Sequence, residues 1–248
     1  MTRSALVPLV VILFAAPSAP AADPPRVVRE CIEWLDVWVP GNGVKDQPRV
    51  LLIGDSITRA YRKTVEDTLR GRAVVCRRAT SKSLGDPGLL DDVKLVLGQA
   101  QFDVVHFNNG MHGWGYTADE YAKAIPELVA AICTGAPAAK PVWAGTTPVR
   151  VSGKVEQLDP KTDRVKARNE AAADLMGKGK IPTDDLFALV IDKPELFSND
   201  GVHLNPKGST AMGEQVATER LKFSTAGRES SRRAESGTPG RRSDLNYG

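Results

Sequence analysis

Cysteine is scarce in this chain: three residues among 248, Cys31, Cys76 and Cys133. An odd number leaves at least one unpaired, and the lack of any C-x-x-C removes the usual signature of a zinc knuckle or a redox pair. Cys76 ends an expected strand and Cys133 lies in a helical pattern, so both read as small buried hydrophobes, with a bridge from Cys31 to either left open. The three histidines, His106, His112 and His203, show no H-x-x-x-H or comparable ligand spacing, so no metal site is expected. His106 falls inside an expected strand and reads as structural. There is no glycine-rich phosphate loop, and no nucleotide or other cofactor is expected. Nor is there an apolar run long enough to span a bilayer: the longest, Leu6 to Ala16, is too short.

That apolar run has another reading. Arg3 precedes it and Ala19-Pro20-Ala21 follows as an A-x-A cleavage pattern, so residues 1–22 read as an export signal, with a retained N-terminal anchor as the alternative. Removal would leave a periplasmic or secreted protein with no stable membrane span. No cysteine stands at the cleavage point, which argues against a lipid-modified N-terminus.

From Lys222 onward apolar residues nearly vanish, and residues 222–248 read as a disordered basic tail. The tail holds six basic and three acidic residues, a surplus equal to the formal +3 of the whole chain. The basic balance therefore lies outside the middle of the chain, and no nucleic-acid partner is indicated. With 42% hydrophobic and 25% charged residues overall, residues 23–221 have material for one globular domain.

Arg26 to Val39 is ambiguous. Trp34 and Trp38 share a helical spacing, whereas Val37 and Val39 alternate like a strand. Beyond the Pro40-Gly41-Asn42-Gly43 break, strands and helices alternate clearly. Strands are expected at 50–54, 73–76, 103–108, 141–146 and near 181; helices at 57–70, 87–99, 117–133, 161–177, 184–191 and 206–221. Apolar strands separated by helices of this length predict a three-layer, doubly wound α/β/α domain with a parallel, flavodoxin-like sheet. Ligands of such sheets bind outside the carboxyl ends of the strands.

Several chemically capable residues fall at those ends. The apolar run Val50-Leu51-Leu52-Ile53 stops at Gly54-Asp55-Ser56 and opens into a helix. Ser56 is placed either to cap that helix or to act as a nucleophile, and the two roles are compatible. A serine hydroxyl needs a base, and His203 in Asp200-Gly201-Val202-His203 supplies an imidazole, with Asp200 placed to orient it. The serine motif is G-x-S-x-T, which differs from the G-x-S-x-G of α/β-hydrolases.

Taken together, Gly-Asp-Ser after the first long strand and Asp-x-x-His before the last helix resemble the SGNH (GDSL) hydrolase superfamily over residues 49–221. The resemblance implies an esterase that uses Ser56, His203 and Asp200, acting on a small-molecule or carbohydrate ester with no cofactor. It also implies an oxyanion hole built from the Ser56 and Gly85 N–H groups and an asparagine in a Gly-x-Asn-Asp motif. Here that motif reads Gly110-Met111-His112-Gly113, similar to a Gly-x-His variant in exported bacterial members. His112 thus takes the asparagine position, and the neighbouring Asn108 and Asn109 are rival donors. Trp114 and Tyr116 are candidates to line the site, and Arg150 to bind an anionic substrate group. A non-catalytic glycan-binding protein and an O-acyltransferase are the alternative functions.

Overall fold

The computed structural model describes residues 26–41 and 47–217. The export-signal and basic-tail readings, at 1–22 and 222–248, lie outside the described residues. In chain order the elements are β1 (Leu35–Trp38), β2 (Arg49–Gly54), α1 (Ser56–Thr68), β3 (Val74–Thr80), α2 (Pro87–Leu97), β4 (Val104–Phe107), α3 (Ala118–Gly135), β5 (Lys140–Ala144), β6 (Arg150–Val151), β7 (Lys154–Leu158), α4 (Lys161–Lys178), β8 (Thr183–Asp184), α5 (Leu186–Val190) and α6 (Pro206–Gln215).

Six strands form one sheet in the order β1-β3-β2-β4-β5-β8. Strands β3, β2, β4, β5 and β8 run parallel, while β1 pairs antiparallel with β3. The central strand β2 is apolar at every interior position because both of its faces are covered. One face, with Val50, Leu52, Val104, Val142 and Ala144, packs on Tyr61 and Val65 of α1, Leu186 and Val190 of α5, and Met212 of α6. The opposite face, with Leu51, Ile53, Val105, Phe107 and Trp143, packs on α2, α3 and α4 through residues such as Leu89, Ile125, Leu128, Ala172 and Met176. Ile53 is in register with Arg78 on one side and Phe107 on the other. The Gly54 end of β2 therefore opens at the middle of the sheet's carboxyl edge.

Three features depart from the sequence expectations. The ambiguous segment before residue 40 contains an edge strand, so the sheet is mixed and not wholly parallel. Strand alternation prevails there because Asp36 meets Arg77 at 3.0 Å, and the two tryptophans stack separately, Trp34 under Arg59 and Trp38 under Arg77. Second, the hairpin β6–β7 was not legible as strand, since β7 is mostly exposed. Its one sequence signal is Ser152-Gly153, with Gly153 at φ +75°. Third, all three cysteines are free, and only Cys76 is buried; Cys133 lies on the exposed side of α3, not in the core.

His106 is fully buried on β4, with Nε2 3.1 Å from Asp184 Oδ2 and its ring edge-on to Tyr61. Gln215 donates to the other Asp184 oxygen at 2.7 Å. This buried polar chain ties α6 to β4 and β8.

Candidate active site

Ser56 is the first residue of α1, and the cap before it is Asp55, whose Oδ1 accepts the Ile57 N–H at 2.9 Å. The sequence offered Ser56 itself as the cap. With Asp55 doing that work, the Ser56 hydroxyl is left for another partner, and it meets His203 Nε2 at 2.8 Å. Asp at an N-cap is a strong preference, so this was a readable signal.

The loop that carries His203 is organised by one carboxylate. Asp200 Oδ1 accepts the N–H groups of Val202 and His203, each at 2.9 Å, and Oδ2 accepts His203 Nδ1–H at 2.7 Å. Burial pushes the Asp200 carboxyl upward, but the hydrogen bonds from the His203 ring and the two N–H groups outweigh it and hold the carboxyl below its ordinary value. The aspartate therefore stays ionised at neutral pH. With Nδ1–H fixed on Asp200, the neutral imidazole presents a lone pair at Nε2, to which the Ser56 hydroxyl donates. Gly201 makes the turn: its φ is +75°, and a Cβ there would lie 2.1 Å from the Arg150 carbonyl oxygen. The same carbonyl neighbourhood pins the loop, since Arg150 N–H donates to Gly201 O at 2.7 Å. Side chains of His203 and Asp200 are 44% and 51% exposed, so the serine–histidine contact faces the surface.

Gly85 follows β3 at φ +95°, with a would-be Cβ 3.0 Å from the Tyr116 ring; only glycine fits. The third loop, after β4, differs from the pattern its sequence suggested. Both asparagine side chains are hydrogen-bonded within the protein. Asn108 Nδ2 donates to Ala144 O at 2.6 Å and Thr146 Oγ1 at 3.0 Å. Asn109 donates to Lys82 O and accepts Leu84 N–H, at 2.9 and 2.8 Å, and so holds the Gly85 loop. Asn108 thus has both amide hydrogens engaged, and Asn109 is held by its bonds to the Gly85 loop. His112 presents Nδ1 to Glu30 Oε1 at 3.1 Å, and its Nε2 is buried with no hydrogen-bond partner among the described residues.

Beneath this loop lies Arg168 of α4, buried and without a carboxylate partner among the described residues. Its guanidinium donates to the carbonyls of Gly110, His112 and Gly113 at 2.7, 2.8 and 2.8 Å and stacks on Trp114 and Tyr121. Burial pulls it below the ordinary arginine range. Its sequence signal is periodic: Val165, Arg168, Ala172 and Met176 share the buried stripe of α4.

The three residues expected to touch substrate have other duties. Tyr116 is buried; its hydroxyl accepts Val28 N–H at 2.8 Å and donates to Arg26 O at 3.2 Å, clasping the segment before β1. Trp114 packs partly buried against the core, its ring approached by Lys161, Arg164 and Arg168. Arg150 is buried, donating to Val155 O at 2.8 Å and to Ile191 O, with its guanidinium over Phe197. It frames the loop that carries Asp200 and His203, and both of its terminal nitrogens are spent on backbone carbonyls. Among the described residues no group of three or more His, Cys, Asp or Glu side chains is placed to hold a metal, and no helix is long and apolar enough to cross a membrane.

No protein-family model matches the chain, and no curated protein matches it significantly. Solved structures do resemble it. A GDSL-like lipase from Bacteroides thetaiotaomicron is 15% identical over 71% of this chain and 89% of its own, with a TM-score of 0.57. An aryl esterase from M. smegmatis is 14% identical over 68% of this chain and 96% of its own, with a TM-score of 0.58. A carbohydrate acetylesterase from Sinorhizobium meliloti is 16% identical over 69% of this chain and 97% of its own, with a TM-score of 0.57. The mostly parallel sheet flanked by helices, opening at its carboxyl edge into the Gly-Asp-Ser and Asp-Gly-Val-His loops, thus has the fold of the SGNH (GDSL) hydrolases.

Proposed function

We propose that the protein is an exported serine esterase that cleaves short acyl esters, O-acetyl groups on carbohydrate in particular. The observation that carries this reading is the unbroken line from Ser56 Oγ to His203 Nε2 at 2.8 Å and from His203 Nδ1 to Asp200 Oδ2 at 2.7 Å. In it, Ser56 attacks the ester carbonyl while His203 takes the hydroxyl proton and then returns it to the leaving alcohol. Asp200 orients the ring and stabilises the imidazolium formed on the way. Water activated by His203 then hydrolyses the acyl-enzyme. Backbone N–H groups of Ser56 and Gly85 and the Nε2–H of His112 hold the developing oxyanion. Because Nδ1–H of His112 faces Glu30, donation from Nε2 requires the doubly protonated ring. The surface exposure of His203 and Asp200 suits an ester carried on a bulky alcohol, and the carbohydrate acetylesterase among the similar structures supports that substrate class.

The test is turnover of an activated acetate ester and of acetylated xylan or chitin oligosaccharides by the purified protein. Hydrolysis by the wild type, with loss of roughly 10⁴-fold or more in Ser56→Ala, is expected. Wild-type protein inert toward every short acyl ester, or a fully active Ser56→Ala, overturns the reading.

A further inference from the structure

We propose that Glu30, from the segment before β1, is a positioning residue for His112 and forms a second carboxylate–histidine pair on the loop after β4. The inference rests on the reading of His112 as an oxyanion donor and supplies what that reading lacks, a reason for the ring to be aimed and charged.

Three observations converge on the pair. Glu30 Oε1 sits 3.1 Å from His112 Nδ1 and 3.4 Å from Gly113 N, so one oxygen grips both the ring and the backbone beside it. A ring flip would put a carbon against the carboxylate and lose the bond, which fixes Nδ1 outward and Nε2 inward. Second, that Nε2 is buried yet unpartnered among the described residues. An unmade hydrogen bond on a buried polar atom costs about 1–3 kcal/mol, which a hydrogen-bonding atom brought to Nε2 would relieve. Third, the rest of the loop is immobilised around the ring. Arg168 holds the carbonyls on either side from below, and the segment bearing Glu30 is itself pinned. Glu30 N–H donates to Glu33 Oε1 at 2.8 Å, Glu33 Oε2 accepts from Ser81 at 2.8 Å, and Tyr116 clasps Arg26 and Val28.

The chemistry follows from the charges. Donation of Nε2–H to an oxyanion, with the other ring nitrogen on Glu30, needs the His112 ring in its imidazolium form. The Glu30 carboxylate on the other side of the ring balances that cation, as Asp200 does for His203. An asparagine donor would need no such partner, which accounts for a carboxylate beside this loop in a chain whose third motif carries histidine.

The experiment has two arms on the full-length protein. In the first, a double-mutant cycle on acetate-ester turnover compares Glu30→Ala, His112→Asn and the double variant, with thermal unfolding recorded alongside. Glu30→Ala should lower kcat by on the order of ten- to a hundredfold with KM little changed. In the His112→Asn background the same change should cost less than about twofold, because Glu30 acts only through the ring. Equal losses in both backgrounds overturn the proposal while leaving the esterase reading intact. In the second arm, which needs no activity, nitrogen-15 NMR of the His112 ring reports which nitrogen carries the proton. Protonation of both ring nitrogens in wild type, reduced to one in Glu30→Gln and in Glu30→Ala, is expected; a ring spectrum indifferent to Glu30→Ala overturns the proposal even if the protein hydrolyses no ester.

Discussion

Two histidines near the carboxyl edge of the sheet each lay Nδ1 on a carboxylate, and the resemblance ends there. His203 and Asp200 are three positions apart on one loop, half exposed, with Nε2 already hydrogen-bonded to Ser56. His112 and Glu30 are 82 positions apart on different segments, with a ring only 18% exposed and an Nε2 that has no partner among the described residues. The first pair is completed within the protein. The second is held rigid and left open at its inner nitrogen. An open, desolvated hydrogen-bonding atom that is also immobilised is what preorganised stabilisation of a transition state requires, whereas a closed pair is what proton transfer requires.

The comparison breaks first at His203. Replacing it by Gln keeps the size and removes the base, and acetate-ester kcat should fall by about 10⁴ or more, read by steady-state kinetics. Asp200→Asn should cost less, on the order of 10²- to 10⁴-fold, because the ring loses its tautomer and the loop loses its tie but the base survives.

Next in size is the floor of the third loop. Arg168→Met leaves the Gly110, His112 and Gly113 carbonyls without their donor. At about 1–3 kcal/mol for each buried unpaired group, urea unfolding should show a loss of about 3 kcal/mol or more. Arg168→Lys, able to reach fewer carbonyls, should fall between.

Tyr116→Phe is gentler. It removes two hydrogen bonds to the segment bearing Glu30 and should cost about 1–2 kcal/mol, seen as a thermal midpoint lower by a few degrees.

The smallest expected effect is a pH response. The Thr117 N–H, with Arg26 beside it, holds the Glu120 carboxyl down at about 2. A carboxyl whose folded value lies below its unfolded value stabilises the fold above the unfolded value, and that contribution disappears as pH falls from about 4.3 toward 2. Glu120→Gln should remove this part of the acid sensitivity and slightly flatten the stability curve between those limits. Asp200 acts in the same direction, since its carboxyl is also held low.

What could be read without the fold was whatever is local along the chain. Apolar runs such as Val50 to Ile53 and helical stripes such as Tyr61 and Val65 gave the alternation of strands and helices, because burial of both sheet faces writes itself into consecutive residues. Asp200 and His203 were legible as a pair because one loop supplies both, and the aspartate also builds the turn. Ser56 was legible as a hydroxyl delivered to a strand-to-helix turn at the end of a buried strand. Its release from capping duty by Asp55 was written in the adjacent letter.

Only the tertiary structure decided the rest. Whether Trp114, Tyr116 and Arg150 face substrate or protein depends on which segments pack over them. The chain spends all three on its own loops. Edge strand β1 was undecided because its tryptophans satisfy helical and extended spacing alike, and pairing with β3 settled it. Glu30 and Arg168 reach the third loop from 82 and 56 positions away. No sequence period links such residues; they meet because the sheet order sets the segment before β1 above that loop and α4 below it.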